Sequence, residues 1–260
     1  MPNRFRFFSL LALLTALPAC SAVPAGLSLV REHYPLGENA SAGIARYCAA
    51  PDEAVLLYLP HENETTAARA ALADISAQGR GCLLALEQHG RRRISFEADG
   101  RPADFDPNRI YTAAGRAATL ARSGNRSAAA EQITAEFADY LLAQYLGRAR
   151  FIIAVHNNTD GATDIRSYLD GGYGSADVFV NPARDPDDYL FVIDAAAFRY
   201  FSGRGFNVVL QDNQAVKDDG SLSVYAARHG IAYINVEAQY GHLDEQGEML
   251  RAVRDYSEIK

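Results

Sequence analysis

From residue 54 onward, short apolar runs alternate with stretches of helical periodicity, and that alternation restricts the chain to few folds. AVLLYLP (54–60) has the length and composition of a buried strand, TTAARAALADISAQG (65–79) has helical spacing and a closing glycine, and CLLALEQ (82–88) is again a strand. RRISFEA (92–98) alternates polar and apolar residues, with DGRP as the turn after it. Ser127 caps a predicted helix running through Leu146, and RFIIAVH then forms a strand ending on His156. The series continues with YLFVID (189–194), a helix over 195–202, FNVVLQD (206–212), a helix over 221–229, IAYINVEA (231–238) and a C-terminal helix from about Asp244. Strands alternating with helices imply an α/β fold, a three-layer sandwich with a central mixed, largely parallel sheet.

The segment before this series has a different character. Arg4 and Arg6 precede the apolar run FFSLLALLTALPA, which reads as a signal peptide over 1–19. Leu17-Pro18-Ala19-Cys20 is similar to a bacterial lipobox, so Cys20 is the expected lipidation site; an ordinary signal peptide cut near Ala22 or Ala25 is the alternative. Residues 20–42 lack strong periodicity and read as a tether, leaving 43–260 as the domain. The expected location is the bacterial cell envelope, as a membrane-anchored periplasmic lipoprotein that meets the membrane only through its lipid. Removing two arginines and no acid takes the formal charge from −7 to −9, which argues against a nucleic-acid partner. Cys48 and Cys82 then remain as an even pair that an oxidising compartment would let close; spacing alone leaves two separate thiols equally open.

Ligands of open α/β sheets bind beyond the carboxyl ends of strands, and His61, His156 and Glu237 all fall at or just past such ends. His61 and Glu64 are separated by two residues within HENE, close enough for one turn to offer both to a single ion. A bare HxxE is more often a solvated turn, but with His156 it gives two imidazoles and a carboxylate, a chemically complete ligand set for one zinc ion with a position left for water. Glu237 sits in an apolar strand where an unpaired carboxylate would be costly, so it needs either a function or a buried partner. The connection over 157–188, rich in Gly, Asp, Asn and Tyr, is long enough to be read as a wall or lid of the pocket.

HENE, then DPNR, then an apolar strand ending in histidine, then the stretch GSLSVYAARHGIAYINVE leading to a late glutamate resembles the zinc carboxypeptidase family over about residues 54–242. The resemblance implies His61, Glu64 and His156 as zinc ligands, Asn108 and Arg109 as the grip on a substrate carboxylate, and Glu237 as general base. It also implies an arginine for the developing oxyanion. Arg92 is the preferred candidate, although the run Arg91-Arg92-Arg93 leaves all three open.

Two departures stand out. The family's tyrosine before the base has no counterpart in QDNQAVKDDG, where Gln211 or Asp212 is the candidate substrate contact, and the interval from Glu64 to Asn108 is short. Together with the envelope address, they imply a compact hydrolase of amide bonds in a small peptide or acyl-amino acid, cell-wall-derived. The alternatives are a zinc N-acetylmuramoyl-L-alanine amidase, whose HNN-like and VE-like stretches are similar to AVHNNTDG and INVEA, and a non-catalytic envelope-binding lipoprotein that keeps the fold.

Overall fold

A computed structural model describes residues 23–50, 55–161 and 163–259. Its spine is a nine-stranded mixed sheet built from β1 (Ser28–Leu36), β2 (Ala40–Cys48), β3 (Val55–Leu59), β4 (Cys82–Glu87), β7 (Phe151–Asn158), β8 (Ser175–Phe179), β9 (Tyr189–Val192), β10 (Val208–Gln211) and β11 (Ala232–Gln239). The spatial order is β1-β2-β4-β3-β7-β11-β9-β10-β8. The four central strands, β4, β3, β7 and β11, run parallel, whereas β1, β2, β8 and β9 each join a neighbour antiparallel. The remaining strands, β5 (Ile94–Ala98) and β6 (Arg101–Phe105), form a separate hairpin, its turn made by Asp99 and Gly100 with φ of 54° and 67°.

Helices cover both faces, and the two-residue strand period decides which core each side chain joins. On one face Leu56 and Tyr58 of β3 and Ile152 and Ala154 of β7 pack with α2 (Ala113–Ser123), α3 (Ala128–Gln144) and α5 (Leu222–His229). On the other, Leu57, Leu59, Ile153 and Val155 pack with α1 (Thr65–Gln78), α4 (Ala195–Ser202) and α6 (Leu243–Ile259). The expected three-layer α/β sandwich is therefore present, and Ser127 caps α3 by accepting from the Ala130 amide at 3.2 Å. No helix among the described residues is long and apolar enough to cross a membrane.

The tether reading needs correction. Residues 28–42 supply β1 and the start of β2, paired from Ser28↔Cys48 to Leu36↔Ala40. β1 is an edge strand of which only Leu36 is buried, so SLVREHYPL lacks the apolar alternation that would reveal it. It is held in place by Tyr34 against Phe137 and Tyr140 of α3, and by Glu32, which accepts from the phenols of Tyr140 and Tyr145. The signal segment, and Cys20 with it, lies outside the described residues. Cys48 and Cys82 are register partners on β2 and β4 and form a disulfide across 34 residues. Helix α2 was not foreseen from the sequence, and neither were β6 and β8.

On the α1/α6 side, one buried ion pair replaces apolar packing. Arg254 donates to Asp74 Oδ2 through Nε at 2.9 Å and Nη2 at 2.7 Å, both residues being buried. Removing one member leaves the other charge uncompensated in a dry interface. Asp74→Ala is expected to lower unfolding stability by about 3–5 kcal/mol in urea titration; a loss below ~1 kcal/mol would show that the interface reorganises around the arginine.

Candidate metal centre and its cavity

β3 ends at Leu59, and the chain turns at once: the Glu64 amide donates to the His61 carbonyl at 3.1 Å, and Glu64 immediately precedes α1. This turn brings the two side chains to one point, with His61 Nδ1 2.8 Å from Glu64 Oε1. His156, the sixth of the 8 residues of β7, follows the alternation Ile152, Ala154 and so projects from the α2/α3/α5 face. Its Nδ1 lies 2.9 Å from Glu64 Oε2, and the two imidazole rings are 5.2 Å apart. One donor atom from each of His61, Glu64 and His156 falls within 4.8 Å of the others, and all three residues are buried.

The residues fit a divalent metal. Glu64 Oε2 is buried and takes part in no hydrogen bond with the described residues, because its close approach to His156 lacks hydrogen-bond geometry. The outer nitrogen of His61, Nε2, is 2.8 Å from Asp106 Oδ1, the carboxylate–histidine arrangement that fixes an imidazole while its other nitrogen faces a metal. A set of two imidazoles and one carboxylate is a zinc-type donor set. Burial alone would push Glu64 up, but His156 and His61 hold it down at about 2. Burial likewise works against the charged form of His61, yet Glu64 and Asp106 raise it above the ordinary histidine value. Asp106 is lowered, its own desolvation outweighed by His61, Arg92 and Arg109.

Asp106 was not among the residues singled out in the sequence, although Asp-Pro at the start of a helical turn is a legible cap. It caps the short 3₁₀ turn Pro107–Arg109 by accepting from the Asn108 amide at 2.9 Å, so one carboxylate positions both His61 and the Asn-Arg pair. Asn108 turns toward His156, Nδ2 to Nε2 at 3.4 Å, and its Oδ1 accepts from the Leu222 amide at 3.3 Å. Arg109 donates to the Asn108 carbonyl at 2.7 Å and lies 3.4 Å from Asp219.

The arginine run resolves in space. Arg93 is tied to Asp104 and Thr119, Arg91 is exposed away from the cavity, and Arg92 reaches Glu64 Oε1 at 3.0 Å and Asp106 Oδ2 at 3.3 Å. The loop carrying it is sewn to the HENE turn. Glu62 accepts from the Gln88 and Gly90 amides, and Gln88 donates to the Pro60 carbonyl at 2.6 Å.

Glu237 of β11 is the register partner of His156 on β7, which places the two one strand apart on the same face. Burial pushes its carboxyl up, against the pull of His156, and Asn235 Nδ2 donates to its Oε1 at 3.0 Å. Glu64, Arg92, Asn108, Arg109, His156 and Glu237 all line one cavity of about 450 Å³. The 157–188 connection walls it through Thr159, Thr163, Tyr168 and Tyr173. Tyr173 was also missed from the sequence; it is 72% exposed and sits at φ 51°, a left-handed conformation uncommon for a tyrosine. His242 does not line the cavity; its Nδ1 lies 2.9 Å from Asp188 Oδ2 just before α6.

The mixed sheet and its helical layers form a carboxypeptidase-like fold. The crystal structure of thrombin activatable fibrinolysis inhibitor matches with a TM-score of 0.52 at 8% identity, over 91% of this chain and 69% of that one. The product-bound ectoine utilization protein EutE (DoeB) from Ruegeria pomeroyi matches with a TM-score of 0.50 at 15% identity, over 90% and 68%. A succinylglutamate desuccinylase/aspartoacylase from Rhodobacter sphaeroides gives 0.47 at 14% identity over 90% of this chain, which spans 66% of that protein's length. At these identities the likeness is one of fold. No protein-family model matches the sequence, and no curated protein does.

If Asp106 orients His61 for a metal, Asp106→Asn should weaken zinc affinity by about 10–100-fold in chelator competition, with the metal still bound at one per chain. Unchanged affinity would remove Asp106 from the centre.

Proposed function

We propose that this chain is a zinc-dependent hydrolase of amide bonds in a small peptide or acyl-amino acid carrying a free carboxylate. The observation that carries the reading is the convergence of His61, Glu64 and His156 within 4.8 Å, in a cavity that Glu237 also lines from the adjacent strand. Bound by those three residues, zinc would supply a Lewis acid and lower the pKa of a water toward ~7.

The remaining roles belong to the chain. Glu237 accepts the proton of the attacking water and returns it to the leaving nitrogen; its burial favours the protonated form that the second step needs. Asn235 holds one oxygen of that carboxylate, which fixes the direction of the other. Arg92 stands beside the ligand cluster with its guanidinium half exposed, placed to donate to an oxyanion forming there. Arg109 offers the planar fork suited to a carboxylate, and the acid it lies against, Asp219 at 3.4 Å, is itself 45% exposed. Scissile bond and carboxylate are then fixed at two points, so the carbonyl is presented to the water in one orientation.

A peptide or acyl-amino acid released from the cell wall is the substrate class we favour, on the signal-like N-terminus and the lipobox-like Leu17-Pro18-Ala19-Cys20. The compact HxxE spacing together with Asn108-Arg109 favours this reading over an N-acetylmuramoyl-L-alanine amidase.

Glu237→Gln is expected to keep one zinc per chain by elemental mass spectrometry and to lose turnover by at least about 100-fold; undiminished turnover would exclude Glu237 as the base. The His61→Ala, His156→Ala double variant should lose the metal, and a wild-type protein that holds no zinc when supplied with it would overturn the hydrolase. Arg109→Ala should raise KM by about tenfold or more for substrates ending in a free carboxylate and leave amidated ones unaffected. Equal losses on both would sink the grip.

A further inference from the structure

The metal ligands gather toward the carboxyl ends of the central parallel strands. A second cavity, of about 350 Å³, lies at the amino ends, lined by Ser28 at the start of β1, Leu56 of β3, Cys82 at the start of β4 and Ala149 just before β7. It opens where α3 runs out: the helix ends at Gln144, which lines one side, and Val30 of β1 is left 55% exposed. Leu56 and the Cys48–Cys82 disulfide supply apolar surface beneath.

Two arginines stand at this surface. Arg46 is the register partner of Val30, Arg148 closes the turn after α3, and both are exposed and line the cavity. Neither guanidinium forms an ion pair or hydrogen bond with a described residue, whereas Arg80, Arg184, Arg228 and Arg254 are each taken by an acid. No acid is found among the described residues that line the cavity; Glu32, which Tyr145 reaches with its phenol, is not one of them. Arg150, two positions beyond Arg148, is exposed as well. On a chain of formal charge −7, this pole is a local inversion of sign.

We propose that this pole docks on a bilayer surface carrying anionic phospholipid, a contact additional to the lipid expected at Cys20. Arg46 and Arg148 take the headgroup phosphate, for which the guanidinium fork is suited, and Val30 and Leu56 meet the apolar shoulder of the lipid. Exposed apolar surface rimmed by polar groups is the usual mark of such a contact. The course of the chain favours this occupant over others. β1 enters the sheet at Ser28, on the cavity's own edge, and Cys20 lies eight residues earlier, so a lipid carried there is tethered within about 29 Å. An acidic protein is repelled as a whole by an anionic surface, so the positive pole fixes which way it faces. Docked this way, the metal ligands lie on the far side, His156 being five residues up β7 from Phe151, roughly 16 Å.

The test uses the chain from Ser21 onward, which contains every described residue and carries no lipid of its own. In co-sedimentation, vesicles of phosphatidylcholine mixed equally with phosphatidylglycerol should bind it about tenfold or more tighter than phosphatidylcholine alone, and added salt should weaken the binding. Arg46→Gln and Arg148→Gln should each cost about fivefold, and Val30→Asp at least as much, whereas Arg69→Gln, at an exposed position of α1, should cost nothing. Circular dichroism identical to the wild type shows each variant to be folded. Neither readout involves zinc or turnover, so the hydrolase reading can fail without this one, and the reverse. Equal sedimentation with both vesicles, or binding that survives in the Arg46→Gln, Arg148→Gln double variant, would overturn the proposal. So would inorganic phosphate that binds, by calorimetry, as tightly as the anionic vesicles do, since the site would then serve a free phosphate.

Discussion

A carboxylate with 3% exposure cannot stand alone, and much of the site follows from the burial of Glu64. Its two oxygens face two imidazoles, and Arg92 approaches one of them from the open side. Each imidazole needs a partner of its own, and so Asp106 is drawn to His61 and Asn108 to His156. Asp106 in turn caps the turn that carries Arg109. The chain of dependence runs from one buried charge to residues more than forty positions away. A metal would enter this network as one more cation, between groups already arranged to neutralise a negative centre.

The sheet supplies what that network cannot, namely direction. Parallel pairing of β7 and β11 sets His156 beside Glu237, and alternation sends both side chains to the same face while Val155 and Val236 enter the opposite core. A slip of one residue in either strand would bury the catalytic candidates among α1, α4 and α6. Apolar residues on the far face thus hold the register on which the polar near face depends.

How much of this the sequence disclosed depends on where each interaction is encoded. His61, Glu64, His156 and Glu237 were legible because apolar strand patterns point to their own ends, and α/β sheets bind ligands there. β1 was not, since an edge strand with one fully buried side chain carries little periodic signal. Among Arg91, Arg92 and Arg93 the sequence offers no choice. It is made by Asp104 and Thr119, which take Arg93, and by Glu62, which fixes the loop. Gln211 could be suspected as a substrate contact, but the direction of its amide is set by Asn213 and, through it, by the Ile193 carbonyl just past β9. Such a property exists only after folding.

The close packing of two glycines has a bearing on how anything enters. A Cβ on Gly115 would lie 2.1 Å from the Gly220 Cα, one on Gly220 would lie 2.4 Å from the Arg109 carbonyl oxygen, and the Tyr111 amide donates to the Gly220 carbonyl at 3.1 Å. The 218–223 loop is therefore clamped to α2 and to the turn bearing Arg109, with no clearance for sliding. That side of the cavity behaves as a jamb. The pinning continues on the neighbouring wall: Tyr173 stands in solvent on a left-handed backbone, but a Cβ on Gly174 beside it would lie 2.8 Å from the Val216 Cα, and the Gly174 carbonyl accepts from the Asp212 amide at 2.8 Å. A larger residue at Gly115 or Gly220 would therefore be felt at the turn that carries Arg109, because the 218–223 loop has nowhere to move.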